Sequence, residues 1–221
     1  MAPGEFDGDH AAGPKGRVLV VLAHPRRHSL TGQVADRFVS ALAGNGYRVE
    51  VADLVREGFD PVLTESDEPD WENPYKVYSP AVTREMERIR RNEATVMIFP
   101  VYWWSMPGVM KGWVDRVWNS GFAYGVRTYP HRRVWLIGIA GAAEGEYVRR
   151  HYDQAIRVVL SVGLLEYCGV AERRVELLHG ALDGPESAPE ILRQAETLAH
   201  EFSRPVMRGG ELDPAEQAGQ S

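Results

Sequence analysis

The run Arg17-Val18-Leu19-Val20-Val21-Leu22-Ala23, followed at once by His24-Pro25-Arg26-Arg27-His28-Ser29-Leu30-Thr31-Gly32, decides the fold. Val18–Ala23 is unbroken apolar sequence rich in valine. It is too short for a buried helix and lacks the alternation of a half-exposed strand, so it reads as a strand covered on both faces, as in a parallel sheet. After the polar turn, Leu30, Val34, Phe38 and Leu42 fall at helical spacing, and Gly44 and Gly46 stop that helix. A buried strand feeding directly into a helix is the first half of a β–α unit.

Outward from this unit the alternation repeats. Tyr47–Ala52 reads as a second strand, and the charged helix Ala81–Asn92 leads into a third, Thr95–Val101. Pro107–Trp118 is helical, with Pro107 suited to the first turn. Arg133–Ala140 is a fourth strand, Tyr147–Leu165 one long amphipathic helix, and Val170–Leu178 and Pro189–Phe202 the last strand and helix. Strands and helices in strict alternation predict an α/β three-layer sandwich, a doubly wound parallel sheet with helices on both faces. The flavodoxin-like strand order 2-1-3-4-5 is one of its two common solutions. The domain is expected over residues 17–204, with a disordered tail at 1–16 and a flexible one at 205–221. Asp53–Tyr78, with Pro61, Pro69, Trp71 and Pro74, is too long for an ordinary connection and reads as an excursion from the sheet, a place for binding or subunit contacts.

A chain of 221 residues buries a full core as one domain. The formal net charge of −6 argues against nucleic acid as a partner, because phosphate contacts need a basic face. No apolar run is long enough to span a bilayer, so membrane insertion is not expected. The single cysteine, Cys168, excludes an internal disulfide and a cysteine-built metal cluster within one chain, and no metal site is expected. Met1–Gly16 lacks the basic start and apolar block of a signal peptide, and these features together point to the cytoplasm.

Two loops carry chemistry. The first, His24–Gly32, lies between a buried strand and a helix start, where free N–H groups and the helix dipole favour an anion and His24, Ser29 and Thr31 add side-chain donors. Ser29 is equally readable as a plain helix cap, and Arg26, Arg27 and His28 as solvated surface. There is neither a Walker lysine nor a G-x-G-x-x-G here, which disfavours nucleoside triphosphates and dinucleotides bound in the usual way. The second loop follows the third strand as Pro100-Val101-Tyr102-Trp103-Trp104-Ser105. Its aromatics either form a flat wall with backbone amide donors, suited to an isoalloxazine, or pack inward and plug the end of the sheet.

Three segments then become specific together. Pro100–Gly125 (PVYWWSMPGVMKGWVDRVWNSGFAYG), Ala23–Thr31 (A-H-P-x-x-x-S-L-T) and Phe59–Thr64 (F-D-P-V-L-T) occur in the order and spacing found in the NAD(P)H dehydrogenase (quinone) family, which the chain resembles over roughly residues 17 to 180. The resemblance implies that His24, Ser29, Leu30, Thr31 and Gln33 surround a flavin phosphate. It also implies that Pro100, Val101, Tyr102, Trp103 and Trp104 hold the isoalloxazine and ribityl chain. The loop after the fourth strand, T-T-G-G in the family, here reads Ala140-Gly141-Ala142-Ala143, which keeps backbone donors but loses the hydroxyls. Tyr147 matches the family's active-site tyrosine by position, whereas His151 matches its histidine only approximately, four residues on rather than six.

On this resemblance the chain is a flavoprotein holding FAD or FMN, with FAD preferred. It takes hydride from NAD(P)H and passes it through the flavin to a quinone-type acceptor in a ping-pong cycle, with Tyr147 and His151 as catalytic groups. A homodimer with the flavin site at the interface is implied. Two rival readings stand beside this one: an ancillary flavoprotein subunit of a potassium efflux system, and a biosynthetic reductase with a specialised acceptor.

Overall fold

The computed structural model describes residues 14–204; the tails expected at the two ends otherwise lie outside the described residues. Of the N-terminal stretch, Lys15 is tied in by its N–H, which donates to the Gly46 carbonyl at 2.9 Å. The chain runs β1 (Arg17–Leu22), α1 (Leu30–Gly44), β2 (Arg48–Asp53), α2 (Pro80–Arg90), β3 (Ala94–Pro100), α3 (Gly108–Val117), β4 (Arg133–Ile139), α4 (Glu144–Arg149), α5 (Tyr152–Arg157), β5 (Glu172–Leu178) and α6 (Ser187–Phe202). The strands form one parallel sheet in the order β2-β1-β3-β4-β5, the flavodoxin-like order.

Side chains that alternate along β1 explain the three layers. Val18, Val20 and Leu22 pack with Val34, Phe38 and Leu42 of α1 and with Ile191, Ala195 and Phe202 of α6. Leu19 and Val21 face the other layer, where Val82, Met86 and Ile89 of α2 meet Met110, Trp113 and Val117 of α3. The two edge strands are only partly covered and carry charge, Arg48 and Glu50 on β2 and Arg173, Arg174 and Glu176 on β5, which discourages further strand pairing. Among the described residues no helix is long and apolar enough to cross a membrane.

The single helix expected over Tyr147–Leu165 is instead broken. The α4 segment tightens at its end, with the His151 N–H reaching the Val148 carbonyl at 3.1 Å, and His151 itself turns left-handed at φ 60°. After α5 the chain continues as a π-helical stretch, Val158–Glu166. The apolar spacing that suggests one helix is therefore shared by two helices and a wider turn, and a spacing pattern does not reveal a left-handed link.

The excursion after β2 holds one short 3₁₀ turn, Glu65–Asp67, and is pinned by a buried ion pair. Asp67 is fully buried; its carboxylate accepts from Arg116 of α3 at 2.7 Å and from the Ser79 N–H and hydroxyl at 2.8 and 2.9 Å. Gly112 lets α3 approach this segment, since a β-carbon there would lie 2.3 Å from the Pro61 carbonyl oxygen.

Candidate active site

In a doubly wound sheet the loops leaving the carboxyl ends of neighbouring strands share one rim, and ligands bind there. Here β1 delivers Ala23–Ser29, β3 delivers Val101–Pro107, β4 delivers Ala140–Ala143 and β5 delivers His179–Leu182 to that rim. The loops are stitched side by side: the Ala23 N–H donates to Ile98, Val101 to Ile139 and Ala140 to Leu178.

At the β1 rim Ser29 caps α1, its hydroxyl accepting from the Gly32 N–H at 3.1 Å, so the plain capping role is filled. The N–H groups of Leu30 and Thr31, one turn too early for intrahelical acceptors, stay available to an anion. Gly32 makes the tight turn possible, because a β-carbon there would sit 1.9 Å from the Arg27 carbonyl oxygen. His24 Nδ1 lies 2.9 Å from the Arg26 nitrogen and 3.0 Å from the Arg26 carbonyl oxygen, so it is engaged within its own loop and Nε2 is the nitrogen left for a ligand. Burial lowers the pKa of His24 and so favours the neutral ring. Arg27 is tied across to Asp36 at 2.9 Å rather than left in solvent, whereas Arg26 and His28 are exposed. Gln33 is exposed and lies on a separate groove with Asp36, Arg37 and Ser40 of α1.

At the β3 rim the aromatics do not plug the sheet. Trp103 is 87% exposed, and Tyr102 and Trp104 are also open to solvent. Tyr102 and Ser105 exchange backbone hydrogen bonds of 3.0 Å in both directions, closing a two-residue hairpin whose central residues are Trp103 and Trp104 at φ 50° and 56°. A turn of this kind usually takes Asn-Gly, and bulky residues there carry backbone strain. Strain of this sort persists at sites where the geometry is used. The Trp103 and Trp104 N–H groups have no acceptor within the described chain.

Behind this turn lies an open cleft of about 480 Å³, lined by Val101, Trp103, Trp104, Gly141, Ala142, Glu146, Tyr147, Arg150 and Tyr152. Its walls are aromatic: Trp104 meets Tyr152 with ring centroids 4.3 Å apart, and Tyr152 meets Tyr147 at 6.0 Å. Its floor is backbone. The carbonyls of Ala140, Gly141 and Ala142 accept from Ala181, Leu182 and Gly180, while the N–H groups of Gly141, Ala142 and Ala143 have no acceptor within the described chain. Tyr147 is almost fully buried, its hydroxyl makes no hydrogen bond within the described chain, and burial raises its pKa, so it keeps its proton at neutral pH. Glu146 and Arg150 pair at the mouth, Nε to carboxylate at 2.5 Å.

The sequence-derived candidates thus divide. His24, Ser29, Leu30 and Thr31 gather at the β1 rim, Val101, Trp103, Trp104, Gly141, Ala142 and Tyr147 at the cleft, and Pro100 and Ala140 lie buried beneath it. His151 is exposed and does not line the cleft; its left-handed turn instead brings Tyr152 round onto Trp104. The histidine beside Tyr147 is His179, with ring centroids 4.8 Å apart. It directly follows β5, and the rule that ligands sit beyond strand ends marks that position. Tyr152, Glu146 and Arg150 carried no comparable signal, since a continuous helix would have placed them differently.

Polar donors with no partner, an exposed aromatic wall and an anion-ready helix start are the donor set of a phosphorylated aromatic cofactor, and the residues present fit a flavin. Comparisons with known proteins identify the family. A family profile described as flavodoxin-like fold matches residues 16–201. The chain is 35% identical over 173 residues to an uncharacterized NAD(P)H oxidoreductase of Escherichia coli (strain K12), covering 77% of this chain and 88% of that protein. It is 28% identical over 196 residues to NAD(P)H dehydrogenase [quinone] 1 of Rattus norvegicus, covering 78% of this chain and 72% of that one. Among solved structures, the NAD(P)H:quinone oxidoreductase from Methanothermobacter marburgensis superposes with a TM-score of 0.80 at 26% identity, over 87% of this chain and 99% of that one.

Proposed function

Because the chain belongs to the flavodoxin-like NAD(P)H dehydrogenase (quinone) family, we propose that its rim is the site of a flavin-dependent NAD(P)H:quinone oxidoreductase. The observation that carries this reading is the pairing of an exposed aromatic wall at Trp103 and Trp104 with unpaired backbone donors at Gly141 and Ala142 across one cleft. Bound flavin supplies the hydride relay between nicotinamide and acceptor.

The chain's own residues do the remaining work. Leu30 and Thr31 N–H, with Ser29, Thr31 and His24 around them, hold the phosphate. Pro100–Trp104 and the Ala140–Ala143 backbone hold the ring, with Gln33 on the flank of the phosphate loop. Trp104 and Tyr152 set the stacking plane of whichever substrate enters, and one cleft serves nicotinamide and acceptor in turn. Tyr147 presents a protonated hydroxyl to an acceptor oxygen as charge develops on it. His151, exposed at the start of α5, does not line the cleft.

The flavin is FAD or FMN, and the mass of the extracted cofactor decides between them. Exposed apolar side chains on the excursion (Trp71, Tyr75, Val77) and on the π-helical stretch (Val158, Val159, Val162) offer the surface that a second copy would cover. Tyr124 joins these regions, with ring centroids 6.1 Å from Trp71 and 5.8 Å from Tyr167. A homodimer is the proposed state, and sedimentation measures it. The lone buried thiol of Cys168 accords with a reducing cytoplasm.

The purified protein is expected to be yellow and to oxidise NADH or NADPH only when a quinone is supplied. Protein that carries no flavin and takes up neither FMN nor FAD on titration refutes the reading.

A further inference from the structure

Reducing a quinone by hydride leaves the acceptor one proton short, and the structure limits where that proton is stored. Tyr147 offers its hydroxyl to the cleft, but burial disfavours the phenolate that donation leaves behind. A group behind Tyr147 must offset that charge. The described histidines can be taken in turn. His24 is engaged with Arg26, and His131 is spent between Thr95 and the Ile89 carbonyl. His200 meets Asn45, and His28 and His151 are exposed.

His179 remains. Its ring stands at 76° to that of Tyr147, centroid to centroid 4.8 Å. Its Nδ1 is buried with no hydrogen-bond partner, and so is Oδ1 of Asp153 at the start of α5. Buried polar atoms left without a protein partner mark places for ordered water. The charged and titratable groups facing His179 are Glu144 and Tyr147 from α4, Asp153 from α5 and Glu176 from its own strand. The carboxylates favour the imidazolium while burial opposes it more strongly, so the ring is neutral at rest and gains a proton readily when negative charge appears beside it.

We propose that His179 is a positioning residue for the acceptor's proton, acting through Tyr147 with Asp153 as its counter-charge. The O–H bond of Tyr147 breaks as one forms at the acceptor oxygen, and the neutral His179 ring takes up a solvent proton on the Asp153 side, so that an imidazolium balances the tyrosinate. That N–H bond then breaks as the Tyr147 O–H bond forms again through water, which returns the ring to its neutral resting form. This inference rests on the quinone reductase reading.

The test uses the flavin-loaded protein, reduced and then mixed with 2-methyl-1,4-naphthoquinone, with flavin re-oxidation followed in a single turnover from pH 5 to 9. In the wild type the rate is expected to rise as the pH falls below the ordinary imidazole value. In His179→Gln that rise is expected to vanish, leaving the rate about ten-fold lower at pH 6, with half-saturation by the quinone and flavin affinity unchanged. Flavin-free protein supplies an independent reading by NMR: the His179 ring is expected to titrate below the ordinary imidazole range, and lower still in Asp153→Asn. A His179→Gln protein with the wild-type rate and pH profile overturns this role and leaves the reductase reading standing. An unshifted His179 titration in Asp153→Asn overturns the counter-charge. A wild type that does not reduce the quinone at all removes the reductase reading itself, and this inference with it.

Discussion

Replacing Trp103 by glycine and, separately, by alanine measures the conformational energy held in the turn that forms the cleft wall. Both variants delete the same indole, which is 87% exposed and so surrenders little burial. They also lose the same edge contact to Trp104, whose ring centroid is 5.8 Å away. What differs is the β-carbon at φ 50°. At an ordinary position alanine is favoured by roughly 0.5–1 kcal/mol, because glycine loses more chain entropy on folding. A left-handed backbone penalises an L side chain by roughly 1–2 kcal/mol, and that term opposes the first. The balance favours glycine by about 0.5–1 kcal/mol, which for a domain of this size is a melting-temperature difference of about 1–4 °C. Thermal unfolding of the two flavin-free variants reads it directly. An alanine variant that melts at or above the glycine variant refutes the strained turn. With flavin added, both variants are expected to show the same reduced stabilisation relative to wild type, since both have lost the same wall.

Two further outcomes follow from buried polar groups away from the cleft. Tyr129 donates to Thr95, Thr95 donates to His131 Nδ1 and His131 Nε2 donates to the Ile89 carbonyl, a chain that holds the imidazole neutral while burial lowers its pKa. A depressed folded pKa means that this contribution to stability is complete above about pH 6.5 and is lost as the pH falls from there through the folded value; urea unfolding at pH 7.5 and 5.5 should show the loss, and His131→Gln should shrink it. Asp67→Asn strands the buried Arg116 guanidinium and is expected to cost roughly 3–5 kcal/mol. Equilibrium unfolding together with faster proteolysis between residues 53 and 80 would report it, and a change below about 1 kcal/mol would contradict the anchoring role.

The sheet was legible because β1, β3 and β4 are short apolar runs bounded by turn residues, and buried parallel strands look like little else. The rim loops followed from topology, since the ends of β1 and β3 had to be neighbours once the order was 2-1-3-4-5. The helix break at His151 was not legible, because nothing in Val148-Arg149-Arg150-His151 resembles a glycine stop. Nor was the left-handed pair at Trp103 and Trp104, which contradicts local preference and is imposed by the paired backbone of Tyr102 and Ser105. Asp67 looked like one acid among many in an exposed segment, and only the arrival of Arg116 from α3 makes it a buried anchor.

The clamp that fastens residues 140–142 to residues 180–182 makes the shape of the cleft floor depend on a surface strand of chain far away in sequence. A β-carbon at Gly141 would lie 2.9 Å from the tip of the Leu182 side chain, so a largely solvent-facing leucine lies against the floor where position 141 carries no side chain. Leu182 is thus a remote adjustment screw, through which the spacing of the floor's amide donors could be retuned without altering any residue that a ligand touches.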